Sequence, residues 1–132
     1  MKIFFLRHTS LNVEPDLFYG QTDLDVSSSF EEEVKVIKKK INEVIKKDGK
    51  IKIYSSPLKR CVKLAKKISD NFFLDSRIME LNLGDWEMKP KHSIPKELIE
   101  NWEQDMMNFT IPNGESNSNF LKRLKEFTDE IC

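Results

Sequence analysis

Apolar positions in this chain fall into runs whose period changes from one to the next, and each change marks a predicted element. The first run, Ile-Phe-Phe-Leu over residues 3–6, ends abruptly at Arg7, His8, Thr9 and Ser10. It predicts a buried strand whose C-terminal end opens into a polar crevice, where open α/β sheets place their ligands. Within a strand, Arg7 and His8 would point to opposite faces. Both can address one ligand only if the ladder stops near Leu6 and the chain turns at Thr9 and Ser10. The competing reading is a surface strand end with incidental charges.

A helical period follows. Phe30, Val34, Ile37, Ile41, Val44 and Ile45 predict an amphipathic cover helix, with Ser29 as candidate N-cap and Asp48-Gly49 as terminator. Residues 51–55 (Ile-Lys-Ile-Tyr-Ser) read as a second strand. Ser56-Pro57 then opens a helix, serine as cap and proline at the first helical position, with Leu58, Cys61, Val62, Ala65 and Ile68 as its stripe. Residues 72–74 suggest a short strand. A helix over 95–108 would carry Leu98, Ile99, Trp102 and Met106 on one face, for core or lid packing. The turn Pro112-Asn113-Gly114-Glu115-Ser116 hands over to a last helix, 117–131, striped by Phe120, Leu121, Leu124, Phe127 and Ile131.

Between these elements lie the polar stretches that can carry chemistry. The loop over 11–29 holds Tyr19-Gly20-Gln21-Thr22-Asp23, where Gly20 permits a tight backbone and Gln21 and Thr22 offer neutral hydrogen bonds to an anion. Read alone it is a polar loop. Arg60 falls in the first turn of its helix, and a guanidinium beside helix N-terminal amides favours a phosphate. An exposed arginine is the rival reading.

Composition narrows the classes. At 132 residues the length prior gives one domain, and no repeat, linker or low-complexity tract divides it. Lysine plus arginine balance aspartate plus glutamate at 22 each, and the sequence pI is about 6.7. No electrostatic footprint points to nucleic acid or a membrane surface. The lysine runs Lys38–Lys40 and Lys46–Lys47 read as a solvated helix face. Cys61 and Cys132 make neither a disulfide framework nor a metal motif, which fits a reducing cytosol. The N-terminal run is too short for a signal peptide, and no segment approaches membrane-spanning length. The expectation is a soluble, cytoplasmic protein.

These pieces, in this order, resemble the histidine phosphatase superfamily, the phosphoglycerate mutase-like proteins. Arg7-His8 matches the family's Arg-His-Gly opening, with Thr9 in place of the usual glycine. Residues 55–68 (SSPLKRCVKLAKKI) look like its second motif. Residues 80–87 (ELNLGDWE) resemble its acid-bearing loop, and Pro112-Asn113-Gly114-Glu115-Ser116 is similar to its Pro-x-Gly-Glu-Ser turn. The strings RHTS and YGQTD look most like the α-ribazole phosphatase branch, which acts late in cobalamin synthesis. The resemblance implies an α/β fold, a three-layer α/β/α arrangement around a mostly parallel sheet.

It also implies roles. Phosphate monoesters are among the slowest uncatalysed hydrolyses, needing accelerations of up to about 10²¹. With no metal ligand set visible and no cofactor implied, a covalent route divides that barrier. His8 would attack phosphorus and form a phosphohistidine. Arg7 and Arg60 would neutralise phosphoryl oxygens, each charge-assisted bond being worth roughly 1.5–3 kcal/mol. Glu80 aligns with the family's proton donor, which asks for partial burial or the phosphate's own charge to favour the protonated form. Asn12, Gln21 and Thr22 are lesser candidates for phosphate or substrate contacts. Glu87 would orient the loop, and Trp86 would pack rather than bind.

One family feature has no counterpart. A second active-site histidine, on a strand after the last helix, is expected, yet the only other histidine is His92, read as a surface or lid residue. Helix 117–131 should feed another parallel strand. The chain is therefore expected to be a C-terminally truncated product or a degenerate relative, with Phe127 and Ile131 left exposed. The partner expected is a small phosphorylated substrate, with self-association as a homodimer left open. Competing functions are a phosphoglycerate mutase-type phosphoryl transferase, a catalytically impaired phosphate-ester-binding module, and a scaffold fragment completed by another chain.

Overall fold

In the computed structural model of the chain, residues 1–45 and 51–132 are described. The Asp48-Gly49 terminator and Lys46–Lys47 lie outside the described residues. The chain divides into two compact units: Met1–Asn12 with Asp23–Ser76, and Val13–Thr22 with Arg77–Cys132.

The first unit is organised by a strand–helix–strand crossover. Strand β1 (Tyr54–Ser55) and strand β2 (Phe73–Leu74) pair in parallel, Tyr54 opposite Phe73 and Ser55 opposite Leu74, with helix α2 (Lys59–Ile68) between them in sequence. The Tyr54 and Phe73 rings lie 5.5 Å apart, a cross-strand contact on one face of the pair. The ladder is shorter than the run over 51–55 predicts, although the Ile53 carbonyl still accepts the Phe73 amide at 2.9 Å.

Helix α1 (Phe30–Val44) follows the predicted spacing over its first turns, where its buried Phe30 and Val34 pack on Leu64 of α2, flanked by Val26, Ile37 and Ile68. Burial of each such side chain contributes roughly 1.5–3 kcal/mol. Val44, placed on the same face by the sequence, is exposed, and Ile45 lies past the helix end. Ser29 sits at the N-cap position but makes no cap bond to the backbone; its hydroxyl donates to Glu33 at 2.7 Å instead.

Two expectations fail in this unit. Residues 3–6 join no ladder among the described residues and are exposed, Phe5 at 88%. An apolar run becomes a buried strand only when a neighbour takes its amides and carbonyls, and no described strand pairs with it. The second concerns α2, which begins at Lys59 rather than Pro57, because Leu58 is extended (φ −64°, ψ 139°). Ser56 Oγ only reaches the Leu58 amide at 3.4 Å. The first-turn amide of Lys59 donates instead to Asp23 Oδ1 at 2.7 Å, so the cap arrives from a distant loop and brings a favourable negative charge.

In the second unit, helix α3 (Lys96–Gln104) and helix α4 (Asn117–Ile131) are joined by loops around an aromatic core. Trp86, 3% exposed, stacks on Phe18 at 5.9 Å and Phe109 at 6.0 Å and meets Trp102 edge-on at 5.9 Å. Ile94, Ile99 and Ile111 complete the cluster. The helix predicted over 95–108 stops at Gln104, and Met106 is exposed. The Asp105 carboxylate accepts both the backbone and side-chain amides of Asn108 at 3.1 Å, a local turn that competes with the helix. Helix α4 starts where predicted, Ser116 Oγ accepting the Asn119 amide at 3.2 Å. Its far end is not bare: Phe127 is buried beneath the Arg77 guanidinium, 5.6 Å from the ring centroid, and Ile131 is half-buried. The exposed member of the stripe is Leu121.

Candidate active site

The residues proposed from sequence divide between the two units. Arg7, His8, Asn12 and Arg60 belong to the first, and Gln21, Thr22, Glu80 and Glu87 to the second.

His8 is half-buried, and its Nδ1 lies 2.7 Å from the Thr9 carbonyl oxygen. A carbonyl can only accept, so Nδ1 carries a proton, and in the uncharged form of the ring the lone pair belongs to Nε2. The residue in the family's glycine position thus fixes the tautomer through its backbone. The Thr9 side chain is 3% exposed, and its hydroxyl meets no hydrogen-bond partner in the structure of the described residues.

The turn after His8 is held from α1. The Glu33 carboxylate accepts the Ser10 amide at 3.1 and 3.2 Å and the Ser10 hydroxyl at 3.0 Å. Hydrogen bonds from the Ser29 hydroxyl and the Ser10 amide, with the Ser10 hydroxyl and the charge of His8 adding to them, hold Glu33 below its ordinary pKa of 4.5. Arg7 and Asn12 are exposed. Arg60, second residue of α2, is 1% exposed, which removes the exposed-arginine reading. The helix-terminal amides are not all open to an anion, because Asp23 takes that of Lys59.

In the second unit the structure brings Gln21, Thr22, Glu80 and Glu87 into one network. Glu87 Oε2 accepts the Gly20 amide and the Thr22 hydroxyl, each at 2.8 Å. Its Oε1 accepts the Gln21 amide at 2.8 Å and the Leu83 amide at 3.2 Å. Burial works to raise the pKa of this half-buried carboxylate, but the Gly20 amide, the Thr22 hydroxyl and the other two amides outweigh it, leaving it below 4.5. Gly20 makes the approach possible, since a Cβ there would run into the Leu81 carbonyl. Gln21 Nε2 in turn donates to the Glu80 carbonyl at 3.1 Å.

The Glu80 side chain is exposed, not partly buried as expected. Its Oε1 accepts the Leu81 amide at 2.8 Å. His92 is exposed and lines, with Lys91, Lys96, Phe18 and Ile94, a cavity of about 720 Å³ within the second unit. Among the described residues no group of three or more His, Cys, Asp or Glu side chains could hold a metal ion. No described helix is long and apolar enough to cross a membrane.

Glu33 and Arg123 escape the sequence reading, and Glu115 enters it only as part of a turn. Glu33 sits among three consecutive glutamates at the start of α1, where a favourable helix dipole explains all of them equally. Arg123 interrupts the apolar stripe of α4, which is the one sign that it has an inward task.

A family model described as histidine phosphatase superfamily (branch 1) matches residues 3–132. A Hydrogenobacter thermophilus protein that carries the name phosphoserine phosphatase 2 is 28% identical over 98% of this chain and 66% of its own length. A Yersinia enterocolitica protein that carries the name phosphoglycerate mutase GpmB is 30% identical over 98% of this chain and 62% of its own. This chain therefore spans less than two thirds of the length of either relative. Among solved structures, the α-ribazole phosphatase of Shigella flexneri superposes with a TM-score of 0.77 at 21% identity, covering 96% of this chain and 64% of that one. A mycobacterial glucosyl-3-phosphoglycerate phosphatase gives 0.75 at 21% identity, covering 94% and 60%. At such identities these structures establish a shared fold.

Proposed function

Because the chain belongs to the histidine phosphatase superfamily, branch 1, we propose that it is a phosphomonoesterase acting through a phosphohistidine on His8. The observation that carries the proposal is the Nδ1 contact with the Thr9 carbonyl, which leaves the Nε2 lone pair as the nucleophile. Nε2 attacks phosphorus, the N–P bond forms and the ester P–O bond breaks. Glu80 gives its proton to the departing alkoxide. It then takes a proton from water, which attacks phosphorus, breaks the N–P bond and releases orthophosphate. Arg7 and Arg60 balance the charge on the phosphoryl oxygens, and Gln21 and Thr22 serve as neutral donors.

The finer reading, α-ribazole 5′-phosphate as substrate within cobalamin synthesis, rests on the strings RHTS and YGQTD. A second reading, phosphoryl transfer between phosphoglycerate positions, is favoured by the relative that carries a mutase name. Phosphate release from an aryl phosphate, α-ribazole 5′-phosphate, phosphoserine and 3-phosphoglycerate separates them. The phosphatase reading expects stoichiometric orthophosphate and alcohol, fastest with α-ribazole 5′-phosphate. Isomerised phosphoglycerate without orthophosphate supports the mutase. Binding of vanadate without turnover of any ester leaves a phosphate-ester-binding module.

A further inference from the structure

Glu80 presents a problem of position. Its side chain is exposed, and a long exposed carboxylate has many rotamers, so its place must be set by the backbone that carries it. That backbone is gripped by one guanidinium. Arg123 of α4 donates through Nη1 to the carbonyls of Arg77 at 2.6 Å and Met79 at 2.7 Å, and through Nη2 to the carbonyl of Glu80 itself at 2.9 Å. Its remaining donors go to Glu115, Nη2 to Oε1 at 2.6 Å and Nε to Oε2 at 3.2 Å. A guanidinium has five N–H groups, and these contacts use all five.

Glu115 completes the grip from the other side of Glu80. Its Oε1 accepts the Asn82 amide at 2.8 Å, and its own amide donates to the Asn82 carbonyl at 3.0 Å. Burial acts to raise the Glu115 pKa, but the Arg123 hydrogen bond, the Asn82 amide and the Arg123 charge outweigh it and leave it below 4.5. Both side chains are largely enclosed, at 18% and 16% exposure, and Arg123 also lies 4.6 Å from the Phe120 ring centroid. A lysine could keep the charge, but its single ammonium cannot span three carbonyls and a carboxylate.

We infer that Arg123 and Glu115 are positioning residues that fix the Glu80 turn for proton transfer to the leaving group. This rests on the reading of Glu80 as the general acid. A misplaced acid slows esters that need protonation and spares those that do not, whereas a general loss of folded protein slows both.

The test compares wild type, Glu80→Gln and Arg123→Lys in the full chain, on an alkyl phosphate and on an activated aryl phosphate, with vanadate affinity measured alongside. Arg123→Lys is expected to lower kcat on the alkyl ester by about 10–100-fold while changing the aryl ester and vanadate affinity by less than about threefold. If Glu80→Gln discriminates between the esters and Arg123→Lys lowers both equally, or neither, the positioning claim alone fails. If Glu80→Gln itself loses equally on both, the acid assignment fails, and the inference with it. A wild-type chain inactive on both esters overturns both. Should Arg123→Lys fail to melt cooperatively, Glu115→Gln carries the same comparison, with the same outcomes deciding it.

Discussion

Both units hold a candidate substrate-binding turn with a glutamate, and the two devices differ in how far water reaches the groups the glutamate holds. Glu33, half-buried on the first turn of α1, makes its hydrogen bonds to Ser10 and Ser29, both of which are exposed. Glu87 is half-buried, and gathers three amides and a hydroxyl from two separate stretches, 20–22 and 83. In water, hydrogen bonds exchange for equivalent ones and ionic contacts are screened, so an anchor like Glu33 holds weakly. With water excluded, each donor that loses its acceptor is left unsatisfied, so an anchor like Glu87 is expensive to remove. The lesson is that the 20–22 turn is built to be rigid, whereas the turn after His8 is tied loosely at its outer end.

The harshest way to break this contrast is Gly20→Ala. The added Cβ would press into the Leu81 carbonyl and sit 2.9 Å from Glu87 Oε1, so turn and anchor cannot both persist. A loss of about 3 kcal/mol or more in urea unfolding is expected. Glu87→Gln comes next: the amide NH₂ replaces one acceptor oxygen and faces donors. It should cost about 2–3 kcal/mol.

Acid tests the same anchor without mutation. The folded-state pKa values of Glu87 and Glu115 lie below 4.5, so the unfolded chain takes up protons first as pH falls. Their contribution is complete above about 4.5 and is lost below it, so stability should drop through that window, and less steeply in Glu87→Gln. The smallest effect belongs to Glu33→Gln, expected to move the thermal midpoint by less than about 2 °C, and to vanish in high salt. A Glu33→Gln loss as large as that of Glu87→Gln would erase the distinction between the units.

Local pattern carried the helices and the crossover well. The apolar spacing of Phe30, Val34 and Ile37, the turn over 112–116 that hands over to α4, and the two short strands within 51–55 and 72–74 needed only short-range signals, and the structure has each. Failures came where a distant partner decides. Ile3 to Leu6 have every local property of a buried strand and no described strand beside them. The α2 cap was assigned to adjacent Ser56, and the structure draws it from Asp23. Met106 fits the stripe of α3, yet the Asp105 turn ends the helix first. The site shows the same division. Arg60 becomes a candidate by its place in a helix turn, whereas the grip of Arg123 on the carbonyls of 77, 79 and 80 joins residues more than forty apart and leaves no local sign beyond a break in the apolar stripe of α4.

The central claim is that His8 accepts the phosphoryl group on Nε2. Rapid quench of the chain with an activated aryl phosphate, followed by peptide mass mapping and phosphorus NMR under alkaline conditions, reads it directly. The account predicts an alkali-stable, acid-labile phosphoryl group on the peptide containing His8, bonded at Nε2, and absent from His8→Ala. A label on Nδ1, a label on His92, or turnover by His8→Ala at the wild-type rate would contradict it.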